Sequence, residues 1–439
     1  MPTGLGGGPL GGMPLGGAYY DIATLIGQPS AKVFRRVKIK RRLASTGQYE
    51  SDWTDITDYI TDFGTCERSV DDVKLNRFRH SGVALRARND EGTFNEESYT
   101  NSAWYGFLTR YRTLVKLEGG FSPTTTAEVP QDPSIGVFVM DQEIPRSADS
   151  NDITIHASPL SSIFDVVRAV DLTGIYSTLS ASDIIARIRD HTDGSGAFIF
   201  RQFITSTGWS IQTTTTNYNL TTTAILDMSV MDLITKLAEA EGFVFRITRT
   251  GGVEFADRTP NTTASQFTFY GEGFPRQNII RMQDYREALD KFYTFFRFKW
   301  AEPDTSTSYV TAGTTTVVSP SNLSWKYGAR VYEFENTFVQ TSTAAQSIVN
   351  GLFNQFSSVG SEVTIISKFA PHIEVLDRVD VSYHGYNLAG IALWDTFNWD
   401  DANWAPEGEN FDWDNVNFKV LSVKHDVDNF TSTFKLRRV

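Results

Sequence analysis

The alternation of apolar and polar positions separates stretches with a helix period from stretches with a strand period. The clearest helix period is MSVMDLITKLAEAEG at 228–242, which begins near Ser229 and ends at Gly242. The following residues, FVFRITRTGGVEFADR, alternate and predict a hairpin with its tip at 250–252. The pattern therefore predicts a helix that leads directly into a hairpin, and this unit contains no residue set suited to chemistry.

Strand periods dominate on both sides of this unit. KVFRRVKIKRRL, SGVALRARND, RTLVKLEGGF and IGVFVMDQEIPRS predict a small antiparallel barrel or sandwich over 31–160. Aromatic-rich stretches such as KFYTFFRFKW, together with the closing residues up to Val439, predict a second β-rich region. The expected fold class is a β-rich multidomain α+β protein, in which a few short helices pack on antiparallel barrel or sandwich domains.

Two further helices are predicted among these strands. ASDIIARIRDHT at 181–192 has apolar residues at helical spacing. STAAQSIVNGLFNQFSSVG at 342–360 has an apolar stripe formed by Ala345, Ile348, Leu352 and Phe356. Both stretches are expected to pack one face on a neighbouring sheet.

The 439 residues are too many for one ordinary core, so about three or four domains are expected. Changes in pattern predict the boundaries. The predicted parts are a Gly-rich N-terminal arm at 1–30, a β-barrel domain at 31–160, an α+β domain with the helix–hairpin at 161–264, and a C-terminal β-rich domain at 265–439 that carries a Trp/Asp-rich insertion at 393–417.

Charge and composition exclude several classes of protein. A net charge of −12 argues against a nucleic-acid reader that neutralises phosphates, and against docking on an anionic membrane surface. No run of 18 apolar residues is present to span a bilayer, and the first residues lack the pattern of a secretory signal. The single cysteine, Cys66, allows no disulfide within the chain and no thiolate metal cluster, so folding in the cytosol is expected.

The first residues, MPTGLGGGPLGGMPLGG, cannot form a packed element by themselves. One interpretation is a flexible tail. The other is an arm that becomes ordered on a neighbouring subunit, with Leu5, Leu10, Met13 and Leu15 as its apolar contacts.

Residues able to do chemistry do not form a recognisable set. No two of the six histidines have metal-ligand spacing on one element, although His384 and His425 could meet across strands. The nucleophile motif G-x-S-x-G is absent. Glu254 and Asp257 would point to opposite faces of a strand, so they are expected at a solvated hairpin edge. No catalytic residue, metal site or cofactor is predicted.

The stretch LWDTFNWDDANWAPEGENFDWDNVNF at 393–418 alternates tryptophans with acidic residues. Its four tryptophans are Trp394, Trp399, Trp404 and Trp413. Exposed rings beside carboxylates could stack on sugars or hold Ca²⁺, although the spacing fits no EF-hand loop. The favoured interpretation is a long insertion that its tryptophans anchor, or that packs at a subunit contact.

The order of these pieces resembles the tail-tip or baseplate hub proteins of tailed bacteriophages. WTDITDYI and NDEGTF come first, then the helix–hairpin, then a late helix and the closing strands. In the helix–hairpin the resemblance rests on Leu233, Leu237, Gly242, Gly252, Val253, Phe255 and Arg258. In the closing segment it rests on Asp380, Val381, Phe418, Val420, His425, Asp428 and Leu436. The Gly-rich arm and the Trp/Asp-rich insertion depart from the family pattern.

This resemblance implies a structural virion protein at the tail tip, assembled in the host bacterial cytoplasm. It implies a homotrimeric ring that converts the sixfold symmetry of the tail tube to the threefold symmetry of the fibre or spike. The implied partners are the distal tail protein, the tail tube and the tip or fibre proteins. DNA would be only a passing cargo, no membrane would be bound, and the helix–hairpin would be a packing and docking module.

Two other classes of function remain open from the sequence. One is another tail role, such as a receptor- or carbohydrate-binding protein that uses the tryptophans, or a distal tail protein. The other is an enzyme that hydrolyses polysaccharide or peptidoglycan. A glycan-binding assay and an assay for sugar released from cell walls would separate both from a hub.

Overall fold

A computed structural model of the chain shows how these patterns fold. It describes residues 32–42, 49–70, 78–90, 94, 113–122, 134–141, 152–172, 178–194, 196–257, 265–271, 274, 277–287, 292–301, 307–313, 328–339, 341–356, 360–385 and 411–438. Within these ranges no helix is both long and apolar enough to cross a membrane.

The first part of the chain forms a seven-stranded antiparallel sheet in the order β2–β1–β7–β8–β9–β6–β3. Its strands, with two that join another sheet, are β1 (Lys32–Arg41), β2 (Thr54–Asp55), β3 (Ile60–Asp62), β4 (Thr65–Val70), β5 (Phe78–His80), β6 (Val83–Arg88), β7 (Thr113–Ser122), β8 (Ser134–Met140) and β9 (Asp152–Pro159). Strand β6 alternates buried and exposed residues, as its sequence predicts. Every residue of β8 is buried, because both faces of the sheet are covered at this strand.

The middle of the chain packs short helices on a small sheet. Its helices are α1 (Ser162–Val166), α2 (Ala181–Asp190), α3 (Thr222–Ile225) and α4 (Val230–Glu241), and its strands are β10 (Leu179–Ser180), β11 (Trp209–Ile211), β12 (Asn217–Tyr218), β13 (Phe243–Ile247) and β14 (Val253–Asp257). Strands β13 and β14 are the predicted antiparallel hairpin, and β11 pairs with β14 in parallel. The predicted helix–hairpin is therefore confirmed.

A second small sheet, rich in aromatic residues, follows later in the chain. Strands β17 (Phe295–Ala301), β18 (Thr307–Gly313) and β19 (Val331–Asn336) pair in the order β18–β17–β19, and helix α5 (Ser342–Phe356) packs on them. The predicted helix is confirmed, but its fully buried stripe is Ala345, Val349, Leu352 and Phe356. Ile348 is only partly buried, because the buried positions follow a spacing of four, three and four residues.

The C-terminal sheet collects strands from distant parts of the sequence. Its order is β15–β21–β22–β23–β20–β16, and β4 from the first part of the chain pairs with β22 and with β5. Its remaining strands are β15 (Phe267–Tyr270), β16 (Ile279–Glu287), β20 (Ser361–Lys368), β21 (Arg378–Gly385), β22 (Phe411–Asp426) and β23 (Thr431–Arg438). The predicted β-rich α+β class, with antiparallel sheets and short helices, is confirmed.

The buried apolar residues form two large cores. The first core lies between the first sheet and the C-terminal sheet and joins Val115 and Phe138 to Phe418 and Phe434. The second core lies on the other face of the first sheet and contains α2, α4, the hairpin, the aromatic sheet and α5. Each core thus unites residues from both halves of the sequence, and the domain boundaries drawn from the sequence remain a prediction.

Candidate functional site

The residues predicted to form interfaces are mostly outside the part of the chain that the structure describes. These are Leu5, Leu10, Met13, Leu15, Trp394, Trp399 and Trp404. Trp413 is described and lies in β22, where it is 7% exposed. Its ring centroid is 5.5 Å from that of Tyr285 and 5.2 Å from that of Phe418, so this tryptophan packs within the chain.

The helix–hairpin is fixed at both ends of its helix by local hydrogen bonds. At the start of α4, the Asp232 backbone N–H donates to the Ser229 hydroxyl at 3.0 Å, and the Asp232 carboxylate accepts from the Ser229 backbone N–H at 3.3 Å. At its end, Gly242 has φ 72°, a left-handed conformation that glycine adopts without strain. The helix then turns directly into β13, which orients the hairpin.

The hairpin tip lies against β8 of the first sheet. Gly251 has φ 86°, and a Cβ atom added there would lie 2.9 Å from the Cβ atom of Val137. The Arg249 guanidinium also donates to the Ser134 carbonyl oxygen at 3.2 Å. The tip is therefore in close contact with the first sheet, and only glycine fits at its centre.

The half of the hairpin nearest its tip is also joined to the turn before β21. The Arg246 Nε donates to the Glu254 carboxylate at 2.6 Å, and its Nη1 donates to the Val375 carbonyl oxygen at 2.5 Å. The Arg249 backbone N–H donates to the Glu374 carboxylate at 3.0 Å. The hairpin thus bridges the first sheet and the C-terminal region.

A third arginine reaches the same glutamate from β4. Arg68 is 1% exposed, donates through Nη2 to the Ile135 carbonyl oxygen, and places Nη1 3.8 Å from Glu374 Oε1. Arg246 and Arg249 lie 3.8 Å and 3.5 Å from the same carboxylate. We call this set the junction cluster; its members are Arg68, Arg246, Arg249, Glu254, Glu374 and Asp377.

The surroundings of the junction cluster shift its ionisation. Burial raises the pKa of Asp377 to about 6, and its carboxylate accepts the Glu374 backbone N–H at 2.8 Å. Burial disfavours the charged form of Arg246, but the neighbouring Glu374 and Glu254 raise its pKa overall. The neighbouring carboxylates therefore favour the charged form of Arg246, and burial favours the protonated form of Asp377.

Three histidines lie near this cluster and are held neutral. Burial lowers the pKa of His372 to about 4, assisted by the charge of Arg249. Burial also holds the pKa values of His80 and His425 well below their ordinary range, and the Arg68 charge adds to this effect. Neutral imidazole rings can pack beside the arginines without adding positive charge to the interior.

The histidine pair considered from the sequence does not form. His384 pairs in register with Asp412, whereas His425 pairs with Ser432 and Cys66. The Nδ1 atom of His425 lies 2.9 Å from the Ser432 hydroxyl. Among the described residues, no group of three or more His, Cys, Asp or Glu side chains is close enough to hold a metal ion.

The expectation for Glu254 and Asp257 needs a correction. Strand β14 is the central strand of the sheet β11–β14–β13, so it is not a hairpin edge. Glu254 lies directly opposite Arg246 and forms its ion pair there. The sequence does not predict the central position of β14. That position results from the parallel pairing of β14 with β11, a strand from an earlier part of the chain.

Cys66 is unsuited to act as a nucleophile. The residue is completely buried, and burial raises the pKa of its thiol, although the charge of Arg68 opposes the shift. Its Sγ atom lies 3.4 Å from His80 Nε2. A thiol that stays protonated behaves as a small apolar core residue.

A groove of about 840 Å³ lies on the face of the first sheet that is turned away from the C-terminal sheet. It runs between the end of β1, the loop at 196–208 and the hairpin tip at Gly251. Aromatic and cationic side chains line much of it, among them Trp53, Phe198 and Arg201. No pattern in the sequence predicted this groove, because its walls come from three separated segments.

Comparison with known proteins finds similarity to solved structures but not to protein families or curated sequences. No protein-family profile and no curated protein sequence matches the chain. A tail protein from Neisseria meningitidis MC58 matches with 10% identity and a TM-score of 0.48, covering 92% of this chain and 96% of that chain.

Two prophage tail proteins match to a similar extent. The 43 kDa tail protein of prophage MuSo2 from Shewanella oneidensis has 11% identity and a TM-score of 0.49, covering 92% of this chain and 98% of that chain. Prophage tail protein gp18 from Listeria monocytogenes EGD-e has 12% identity and a TM-score of 0.49, covering 92% and 94%.

Proposed function

We propose that this chain is a structural protein of a phage tail and forms the hub of the tail tip or baseplate. Three copies would form a closed ring that joins the tail tube and distal tail protein to the tip or fibre proteins. The observation that carries the proposal is the helix–hairpin, which bridges the first sheet and the C-terminal region through Gly251 and Glu374. A hub joins partners at two faces, and this bridge would hold the two regions of the chain together between them.

The residues that carry the family resemblance are the ones that build this unit. Leu233, Leu237, Val253 and Phe255 are buried in the second core, and Gly242 adopts the left-handed conformation that ends the helix. Arg258, the last residue of that pattern, lies outside the described residues. The resemblance residues of the helix–hairpin therefore build its core and end its helix, which supports the packing role that the resemblance implies for this unit.

The closing segment supports the proposal in the same way. Asp428 accepts hydrogen bonds from the backbone N–H groups of Phe63 and Gly64, at 2.9 Å and 3.1 Å, and pairs with Arg35 at 2.7 Å. His425 is completely buried beneath the same turn. These contacts would hold the last hairpin of the chain on the first sheet.

The threefold ring is tested by counting copies. Native mass measurement of the purified chain should show a trimer, and imaging of particles should show three copies at the tail tip. An obligate ring interface should bury on the order of 2,000 Å² or more. One copy or six copies at the tip would overturn the threefold assignment.

The N-terminal arm should act in assembly. Removing residues 1–17 should leave the unfolding midpoint unchanged, because the segment has no period with which to join a core. Ordering an arm costs about 1–2 kcal/mol per residue, so a partner groove must supply apolar contacts to Leu5, Leu10, Met13 and Leu15. Truncated chains that enter particles as well as the full chain would disprove the arm.

The Trp/Asp-rich insertion separates the hub from a receptor-binding protein. Replacing Trp399 and Trp404 by alanine should reduce particle yield if the rings pack at a subunit contact, since a docked ring buries roughly 150–250 Å². Normal particles that fail to adsorb to host cells would instead favour sugar binding. Particle yield is therefore measured before adsorption.

The lumen of the ring should be acidic or neutral. The chain carries a net charge of −12, and DNA that passes through the ring slides past walls that repel phosphate. Mapping charges on the assembled ring tests this expectation. A lumen lined by Arg35, Arg36, Lys38 and Lys40 would contradict it.

A further inference from the structure

The groove on the first sheet has the chemistry of a binding site for an acidic, aromatic segment. Trp53, Tyr49, Phe198 and Phe203 supply aromatic rings, and Lys40, Arg42 and Arg201 supply positive charge. Among the described residues that line the groove, Glu50 is the only acidic one, and Arg41 pairs with it at 2.8 Å. Arg201 also lies 3.4 Å from Asp190, so the described lining keeps an excess of positive charge through Lys40 and Arg42, in a chain whose net charge is −12.

The cations of the groove are placed over its aromatic rings. The Lys40 Nζ lies 5.5 Å from the centre of the Trp53 ring, and the Arg201 guanidinium lies 4.1 Å from the centre of the Phe198 ring. Phe198 is 39% exposed, although it is a large apolar residue. A partner with both carboxylates and aromatic rings can form ion pairs with these cations and pack its rings against Trp53 and Phe198.

One buried polar atom in the wall makes no hydrogen bond to any residue that the structure describes. The Tyr49 hydroxyl is buried and makes no hydrogen bond among the described residues. Burial raises the pKa of Tyr49, so its hydroxyl stays protonated and remains a donor. A carboxylate or carbonyl oxygen in the groove would accept this hydrogen bond.

The chain itself contains a segment with the complementary composition. Residues 386–410 include Trp394, Trp399 and Trp404. The acidic residues of the segment are Asp395, Asp400, Asp401, Glu407 and Glu409, and it contains no lysine or arginine. Both the charge and the aromatic content of this segment match the groove.

This segment starts and ends at the same end of the long strand β22. It joins Gly385 at the end of β21 to Phe411 at the start of β22, and Asp426 at the opposite end of β22 pairs with β4. At 3.3 Å per residue, β22 is on the order of 50 Å long. A loop of about 25 residues that returns to its start reaches on the order of 40 Å.

The groove also faces away from the C-terminal sheet that carries this segment. Leu114 and Val137 line the groove and belong to the second core, whereas Val115 and Phe138 point to the first core and the C-terminal sheet. A segment of the same copy would have to pass around the first sheet. We propose that the groove of one copy binds residues 386–410 of a second copy, with the groove cations facing its carboxylates and the groove rings facing its tryptophans.

A photocrosslinking experiment tests this contact with the full chain. A benzoylphenylalanine replaces Phe198, and normal chains are mixed with heavy-isotope-labelled chains at a concentration at which copies associate. The expected product joins position 198 of one isotope to residues 386–410 of the other. The control places the same probe at Tyr309, which is 50% exposed on β18, and should not yield this product.

Charge reversal sharpens the result. Arg201→Glu should abolish most of the mixed crosslink, and so should Asp400→Lys combined with Asp401→Lys. Combining the reversals on both sides should restore it, which a variant with a damaged fold would not do. Arg297→Glu, on the aromatic sheet, should leave the yield unchanged, and circular dichroism confirms that each variant is folded.

The remaining outcomes would overturn the proposal. Crosslinks confined to chains of one isotope would show that a copy binds its own segment. Crosslinks to residues 1–31, to any other segment, or to none would show that the groove has a different occupant. The contact does not depend on the tail-tip role, because the experiment uses the purified chain and requires no particle.

Discussion

The chain uses the same residue types in two very different charge arrangements. In the junction cluster, three arginines surround the Glu374 carboxylate and Arg68 is almost completely buried. On the aromatic sheet, Arg297 pairs with Glu333 at 3.2 Å and Lys299 pairs with Glu335 at 2.9 Å. We call this second set the outer ladder, and its four side chains are Arg297, Lys299, Glu333 and Glu335.

The two sets differ in how well water solvates their charges. Ion pairs on the surface gain little free energy, because water solvates each charge almost as well as its partner does. A buried charge has no such alternative, so the loss of its partner leaves an uncompensated charge in the interior. The junction cluster therefore holds separate regions together, whereas the outer ladder keeps an exposed face polar.

The largest effect is expected at Glu374. Glu374→Gln keeps an acceptor for the Arg249 backbone N–H but removes the charge that compensates the three arginines. We expect a loss of about 3–5 kcal/mol in the free energy of unfolding, measured by denaturant titration. A loss no greater than that of the exposed variant Glu333→Gln would show that the two arrangements are equivalent.

The next effect concerns Asp377 and depends on pH. Its folded pKa of about 6 lies above the ordinary 3.8, so stability falls as pH rises through this window and the ionised carboxylate opposes folding above it. Asp377→Asn keeps an acceptor and should stabilise the chain at neutral pH by up to about 3 kcal/mol. Unfolding curves at neutral pH that show a loss of stability would contradict the burial of this charge.

The acid limb of the same titration gives a second test of Asp377. His372 has a folded pKa of about 4, below the ordinary 6.5, so its contribution is lost as pH falls through that window. Protonation of Asp377 opposes this loss in the wild-type chain. The stability of Asp377→Asn should therefore fall more steeply between pH 6.5 and pH 4 than that of the wild type. Equal slopes would contradict the raised pKa of Asp377.

A smaller effect is expected where the hairpin tip meets the first sheet. Gly251→Ala introduces a Cβ atom 2.9 Å from Val137 at a φ of 86°. We expect a loss of about 2–3 kcal/mol from backbone strain and overpacking together. Gly242→Ala is the matched control, because it has φ 72° but nothing within 4 Å of the added atom.

A double variant isolates the contact from the strain. Val137→Ala removes the two methyl groups that lie 3.0 Å and 3.3 Å from the new Cβ atom but keeps the Val137 Cβ atom at 2.9 Å. It should therefore rescue Gly251→Ala only in part and should not rescue Gly242→Ala. Equal losses of stability in the two glycine variants would mean that the added Cβ atom at position 251 makes no steric clash with β8. The measurement is the unfolding midpoint of each chain at one protein concentration.

The smallest effect is expected in the outer ladder. Glu335→Gln removes an exposed partner of Lys299, and the released charge remains in water. The unfolding midpoint should stay within the error of the measurement, at low and at high salt. A clear shift would indicate that another chain covers this face and buries the ladder.

The sequence by itself determined the local elements of this protein. Ser229, Asp232 and Gly242 are enough to place both ends of α4, because capping groups act within one helical turn. Alternation in FVFRI and VEFAD places the hairpin that follows, because strand side chains point to opposite faces in turn. The helices at 181–192 and 342–360 were predicted for the same reason, with ends shifted by a few residues.

Only the tertiary structure decided which of these elements meet. Arg68 and Glu374 are more than 300 positions apart, and no periodicity relates β4 to the C-terminal sheet that it joins. The central position of β14, the separation of His384 from His425, and the groove beside Trp53 depend on similar long-range pairings. Local patterns predict which face of an element is buried. Which element packs on that face depends on packing and charge compensation among distant segments, and a single sequence does not reveal these.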